Sequence, residues 1–221
     1  MQKNIKAVIA TLLVGAAVVG GNAHAQSAEV YGSVGTEGIG AGLGYSFNRY
    51  TNVRAEVDGF ALSHDFTAGD LSYDGKVKLL HGALLGDFFP APAVFPIRLT
   101  AGILVGDDRV DATASSMNGT YTLNGVTVPA GGETINARLR FPTVRPYLGF
   151  GFGHNPSTKG LSVAFDAGVA FGKPRVSFDV PANIASAAGQ ENVDAEQQSL
   201  QDKANRLKVY PIVKLAVTYR F

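Results

Sequence analysis

The residues of this 221-residue chain that could do chemistry are charged side chains standing at every second position between apolar ones. Arg54, Glu56 and Asp58 form one such set, and Asp74, Lys76 and Lys78 another; Arg98, Asp108, Arg145, Asp166, Lys214 and Arg220 occupy equivalent places, with Tyr147 adding a hydroxyl. Opposed charges at spacing two can neutralise one another as an ion-pair network or line a path for a small polar solute. Catalysis needs more than this. A nucleophile, a base and an orienting carboxylate must converge, whereas Ser63, His64 and Asp65 are adjacent in sequence, and neighbours on a strand point apart. Beyond His24 the chain has only His64, His81 and His154, and it contains no cysteine, which leaves too few clustered ligands for a metal. No catalytic residue, metal or cofactor is therefore expected. The glycine strings Gly38-x-Gly40-x-Gly42-x-Gly44 and Gly149-x-Gly151-x-Gly153 have spacing two and no helix after them, unlike a dinucleotide fingerprint. They leave room opposite long polar side chains.

A period of two requires strands to position these groups. The last stretch, KVYPIVKLAVTYRF, sets Val209, Pro211, Val213, Leu215, Val217, Tyr219 and Phe221 against Lys208, Tyr210, Ile212, Lys214, Ala216, Thr218 and Arg220. The same alternation recurs in GIGAGLGYSF, NVRAEVDG, LSYDGKVKL, IRLTAGILVGD, TVRPYLGFGFG and LSVAFDAGVAF. With a first strand over Glu29 to Thr36 the pattern predicts eight strands. Parity breaks near His81 to Asp87 and near Phe141 to Thr143, where a bulge or bend is expected. The links NRYT, FPAPAVFP and NPSTKG are short, whereas Ala112 to Ile135 and Pro181 to Arg206 are long. Short turns alternating with long loops, with the tight first hairpin at Thr36-Glu37-Gly38 as the exception, and Tyr45, Phe47, Tyr219 and Phe221 at strand ends, are features of an outer-membrane barrel with its aromatic girdle. The expected fold is all-β: an eight-stranded antiparallel transmembrane β-barrel with one short loop helix.

The opening residues contain Lys3 and Lys6, an apolar run from Ala7 to Gly21 and Ala23-His24-Ala25. These are the parts of a secretory signal peptide over residues 1–25, leaving 26–221 as the barrel. Without Lys3 and Lys6 the formal charge falls from +1 to about −1, which attracts neither nucleic acid nor an anionic surface. No apolar run after the leader is long enough for a helical span. An exported, glycine-rich, aromatic-rich chain of this kind belongs in the outer membrane of a Gram-negative bacterium, with lipid as its first partner.

A closing strand that ends in an aromatic, here Val217 to Phe221, looks like the signal by which Gram-negative barrels are recognised by their assembly machinery, which implies that machinery as a partner through Phe221. The stretches VRPYLGFGFG, DAGVAFGKPRVSF, a polar helical insert and YPIVKLAVTYRF resemble the C-terminal half of CarO-type small outer-membrane proteins, and SVGTEGIGAGLGYSFNRYTNVRAEVDGF is similar in spacing. The distinctive pieces are Pro146 to Phe152 and Gly172 to Val176. The resemblance implies an eight-stranded monomeric barrel of a family proposed to pass ornithine and other small basic solutes. The loops differ, so substrate choice does not carry over.

Two functions follow from different fates of the charges. The expected function is a narrow channel for small polar solutes, in which the charges line a water-filled path; the alternative is a non-conducting barrel. If the charges neutralise one another, they fill the lumen, because eight strands enclose a space only just wide enough for side chains, and the barrel then presents its loops without conducting. Seven basic and five acidic side chains in this set make the expected interior faintly cationic. Two local features complete the expectations. Asn124-Gly125 between alternating residues signals a tight hairpin. NVDAEQQSLQDKANRLK reads as the one helix, capped by Asp194 with Gln197 three residues later, and with Val193, Leu200, Ala204 and Leu207 on one face.

Overall fold

A computed structural model describes residues 27–221; the signal peptide expected over residues 1–25 lies outside them. In chain order the strands are β1 (Ser27–Gly35), β2 (Gly38–Ser46), β3 (Thr51–Ala68), β4 (Leu71–Phe88), β5 (Ile97–Gly106), β6 (Arg109–Ser116), β7 (Thr120–Leu123), β8 (Val126–Pro129), β9 (Thr134–Arg140), β10 (Val144–Phe152), β11 (Gly160–Phe171) and β12 (Arg175–Asp179). The helices α1 (Ala182–Ala188) and α2 (Gln190–Ala204) and a 3-10 turn over Asn205–Leu207 follow, and β13 (Val209–Arg220) closes the chain.

Eight of these strands form a closed antiparallel ring in the order β1, β2, β3, β4, β5, β10, β11 and β13, with β13 returning to β1. Closure leaves the ring without edges, so each backbone donor and acceptor facing a neighbour has a strand to pair with. Along each ring strand one set of side chains points in and the other out. The outward set is apolar and exposed, for example Ile39, Leu43, Leu84, Leu148, Val163 and Leu215. An apolar belt this broad cannot face water and is matched by lipid. Tyr45 packs edge-on against Phe47, and Tyr219 against Phe221, at the end of the ring where the connections are short.

β3 and β4 are 18 residues each. A membrane-crossing strand needs only about 9–11, so the hairpin continues well past the ring. There β4 changes partner: His81 to Phe88 pair with β5, and Leu71 to Lys78 pair with β6. Beyond the ring the order is β3, β4, β6, β9, β12, a five-stranded sheet standing on the barrel. Part of one face of this sheet is covered by the β7–β8 hairpin, α1 and α2 around Tyr121, Leu123, Val128, Ile135, Ile184 and Val193, while Phe60, Leu62 and Phe66 on β3 stay exposed. The covering layer makes a small cap with its own core.

The expected bulge near His81 to Asp87 is absent. The β3–β4 register runs without interruption from Thr51↔Phe88 to Ala68↔Leu71, and what changes near Leu80 is the environment on each side of an unbroken strand. Near Phe141 to Thr143 there is a bend, where the chain leaves β9 and enters β10. Asn124 and Gly125 both have positive φ, 47° and 84°, and join β7 to β8 as the Asn-Gly signal requires. The expectation of one helix needs correction: α1 precedes it, built from the alanine-rich ANIASAA, which favours helix. α2 begins before Asp194, makes no side-chain cap, and leaves Leu207 outside it and exposed. Its Gln201 lies along the outer edge of β12, accepting from the Val176 N–H (2.9 Å) and donating to the Pro174 carbonyl (3.0 Å).

Candidate functional site

The ring interior gathers buried charged side chains from distant parts of the chain, and they fall into two layers. At the short-turn end Arg54 on β3 donates to both oxygens of Asp87 on β4 (2.7 and 3.1 Å) and to Asp166 on β11 (3.1 Å). Arg98 on β5 pairs with the same Asp166 and donates to the carbonyls of Phe152 and Gly153 (2.9 Å each). Arg220 closes the layer from β13, donating to Glu29 (2.6 Å), Ser27 (2.8 Å) and the His154 carbonyl (2.9 Å). His154 enters because the chain turns sharply after β10: it is left-handed, with φ 51°, and its Nδ1 lies 2.7 Å from Glu29.

The second layer lies towards the extended end. The Lys214 ammonium on β13 sits 2.7 Å from Glu37, 2.8 Å from Glu56 and 2.8 Å from Asp58. The Tyr31 hydroxyl donates to Glu56 (2.9 Å). His81 stands between Glu37 (2.8 Å) and Asp108 (3.0 Å), and Arg145 pairs with Asp108. Between the layers lies an apolar plug of Ala83, Leu85, Leu104, Tyr147, Ala170 and Ile212. The space left beside it, bordered by Glu37, Glu56, Tyr147, Asp166 and Lys214 among others, is about 10 Å³, room for one water at most. Close packing here depends on missing side chains. A Cβ on Gly42 would overlap the Tyr31 ring, and one on Gly149 or Gly168 would overlap the Tyr147 hydroxyl.

Of the residues that alternation assigns to the lumen, Arg54, Glu56, Asp58, Arg98, Asp108, Arg145, Tyr147, Asp166, Lys214 and Arg220 are buried inside the ring. Asp74, Lys76 and Lys78 are not there. They stand on the outer face of β4 beyond the ring, and the 2.8 Å pair between Lys76 and Asp74 is open to water. The interior also holds Glu29, Glu37, Asp87, His81 and His154, which alternation did not select. The sign of the interior therefore reverses: buried there are seven carboxylates (Glu29, Glu37, Glu56, Asp58, Asp87, Asp108, Asp166) against five Arg and Lys groups (Arg54, Arg98, Arg145, Lys214, Arg220), with two histidines. A signal for part of this was present. His81 and Asp87 share the odd parity of Ala83 and Leu85 on β4, and Glu29 shares that of Tyr31 on β1.

Glu37, Asp58 and His81 bring potential metal-ligand atoms within 4.8 Å of one another. Residues from the first turn, β3 and β4 meet there, which no local spacing reveals. The Lys214 ammonium already lies against two of the three, so a cation is built into the site. Ser63, His64 and Asp65 lie on the exposed part of β3, opposite Lys76, Gly75 and Asp74. Consecutive side chains there point to opposite faces, an arrangement that does not converge on a reacting atom.

No family model and no curated relative matches the chain. Among solved structures it is similar to Acinetobacter baumannii CarO, at 21% identity and TM-score 0.58, covering 87% of this chain and 97% of that one. Acinetobacter baumannii CarO2 is similar at 19% identity and TM-score 0.59, over 88% of this chain and 98% of that one. The ring closure, the lipid-facing belt and these likenesses agree: the chain has the fold of the CarO outer-membrane proteins, an eight-stranded antiparallel β-barrel.

Proposed function

We propose that this chain is an integral outer-membrane barrel with a sealed lumen, whose working part is the ordered cap it holds outside the cell. The observation that carries this reading is the packed interior, where the charged groups of both layers find opposite charges and the space beside the apolar plug is only about 10 Å³. A path for even a small solute would have to break several buried ion pairs together, and unpaired charges in such a site are costly. The orientation follows from the connections: the end with only short turns faces the periplasm and the end carrying the long segments, together with the tight Thr36–Glu37 turn, faces out. A ring that closes on its own β1–β13 pairing needs no second chain, which supports a monomer. Phe221, outward beside Tyr219, is available to the assembly machinery before the ring closes.

Planar-bilayer recording on the refolded protein tests this reading. The expected result is no single-channel steps from the wild type. Reproducible conductance would overturn the sealed lumen in favour of a narrow channel for small polar solutes.

A further inference from the structure

The outer face of the extension sheet carries its charges in rows, and the rows differ in sign from the ring outward. Directly opposite one another on four adjacent strands stand Lys78, Arg109, Arg140 and Arg175. Like charges directly opposite in a sheet repel, and neighbouring strands are only about 4.8 Å apart. In the next row outward Lys76, Asp111 and Arg138 alternate in sign. In the row beyond that the charged residues are Asp65, Asp74 and Asp179. The face is therefore graded, cationic nearest the ring and acidic furthest from it.

Local carboxylates neutralise only part of the first row. Asp107 pairs with Arg109 (2.6 Å) and Arg140 (2.8 Å), and Asp111 is shared between Arg109 and Arg138. Among the described residues Lys78 and Arg175 make no ion pair. The row also has a definite height. Lys78 is two residues from Leu80 on the same face of β4, and Leu80 is exposed in the lipid-facing belt. Two residues of strand rise about 6.6 Å, which puts the cations just above the apolar boundary, where lipid headgroups lie.

We infer that the Lys78–Arg109–Arg140–Arg175 row is a binding site for the phosphate groups of lipids in the outer leaflet. Phosphate supplies the missing counter-charge, and arginine side chains engage it through paired N–H donors. The acidic outer row disfavours a polyanion approaching from solution, so the lipid layer is the source that the gradient selects. Docking the row on headgroups would hold the extension sheet upright over the membrane. The inference rests on the membrane-spanning reading above and is independent of whether the lumen conducts.

The test uses the full barrel in phosphatidylcholine nanodiscs, with diphosphorylated lipid A, dephosphorylated lipid A or neither. Heat-modifiable migration on a gel checks insertion first, and its absence would count against the barrel reading. In inserted protein, diphosphorylated lipid A should protect amides of residues 72–78, 109–115 and 134–140 from hydrogen exchange. K78Q/R140Q/R175Q should weaken retention of that lipid by about tenfold or more, whereas D65N/D74N/D179N should not. Equal retention by the wild type and the cation-row variant, or equal protection by dephosphorylated lipid A, would overturn the inference. So would equal protection by inorganic phosphate alone in discs without lipid A, since the site would then be one for a free anion.

Discussion

The β3–β4 hairpin runs through two environments with one register, and the meaning of its alternation inverts between them. Inside the ring the odd face of β4 carries His81 and Asp87 into a polar lumen, and the even face turns Leu80, Leu84 and Phe88 to lipid. Beyond the ring the odd face packs Leu71 against the cap core and stacks Tyr73 on Phe66, and the even face puts Asp74, Lys76 and Lys78 in water. The odd side stays the inner side throughout. What changes is the solvent outside, from lipid to water, and with it the residue type that each side tolerates. The comparison teaches that polarity alternation reports which faces differ, while the surrounding medium decides which face is inside.

The largest effect should come from breaking the buried half. Lys214→Met leaves Glu37, Glu56 and Asp58 facing one another with the ammonium gone. Unfolding in urea from lipid vesicles should show a loss of about 3–5 kcal/mol, the cost of orphaning a buried pair, and bilayer recordings should gain conductance. Unchanged stability would mean that water already solvates the layer.

In the cap the equivalent break is apolar. Ile184 is fully buried among Tyr121, Val128 and Ile135, and Ile184→Ala should cost the cap about 2–5 kcal/mol. Hydrogen exchange should rise in α1, α2 and β7–β8 while the ring keeps its heat-modifiable migration. Loss of the barrel along with the cap would show that the two halves fold as one unit.

Leu215→Arg places a charge on the lipid-facing side of β13, next to the inward Lys214. Near the membrane midplane this should cost about 2–4 kcal/mol in the same vesicle assay. A harmless outcome would reverse the inside-outside assignment of that strand.

The smallest effects belong to the outer face of the extension. Lys76 meets Asp74 at 2.8 Å, the same separation as Lys214 and Asp58, but both partners are open to water. Lys76→Gln should leave stability unchanged within error, and the contrast with Lys214→Met isolates burial as the cause. At Asp107 a hydrogen bond from Arg140, aided by the charges of Arg140 and Arg109, holds the carboxyl below its usual range. Its stabilising contribution is present above the ordinary carboxylate pKa and is lost as pH falls through the lowered one. Hydrogen-exchange protection in β6 and β9, corrected for the intrinsic pH dependence of exchange, should therefore fall slightly in acid, and Asp107→Asn should abolish that response.

The sequence by itself determined seven strands of the ring, the alternation of their faces, the Asn-Gly hairpin and most of the buried charges, because each depends on spacing within a few residues; the ring part of β4, His81 to Phe88, fell where the parity reads as broken, and the stretch read as the fourth strand lies beyond the ring. Arg54, Glu56, Asp58, Lys214 and Arg220 are legible from the parity of their own strands. What only the tertiary structure decided depends on which strands become neighbours. The odd face of β4 reads as lumen only once β5 pairs with His81 to Phe88, and its even face reads as water-exposed only once β6 takes over at Lys78. Glu37 sits in a two-residue turn with no pattern around it, yet the ring closure brings it against Lys214, 177 positions away in the numbering used here. The cation row is likewise invisible along the chain, since Lys78, Arg109, Arg140 and Arg175 become adjacent only through the registers of four strands. Local sequence sets the period of a strand, and long-range pairing sets what each face of it meets.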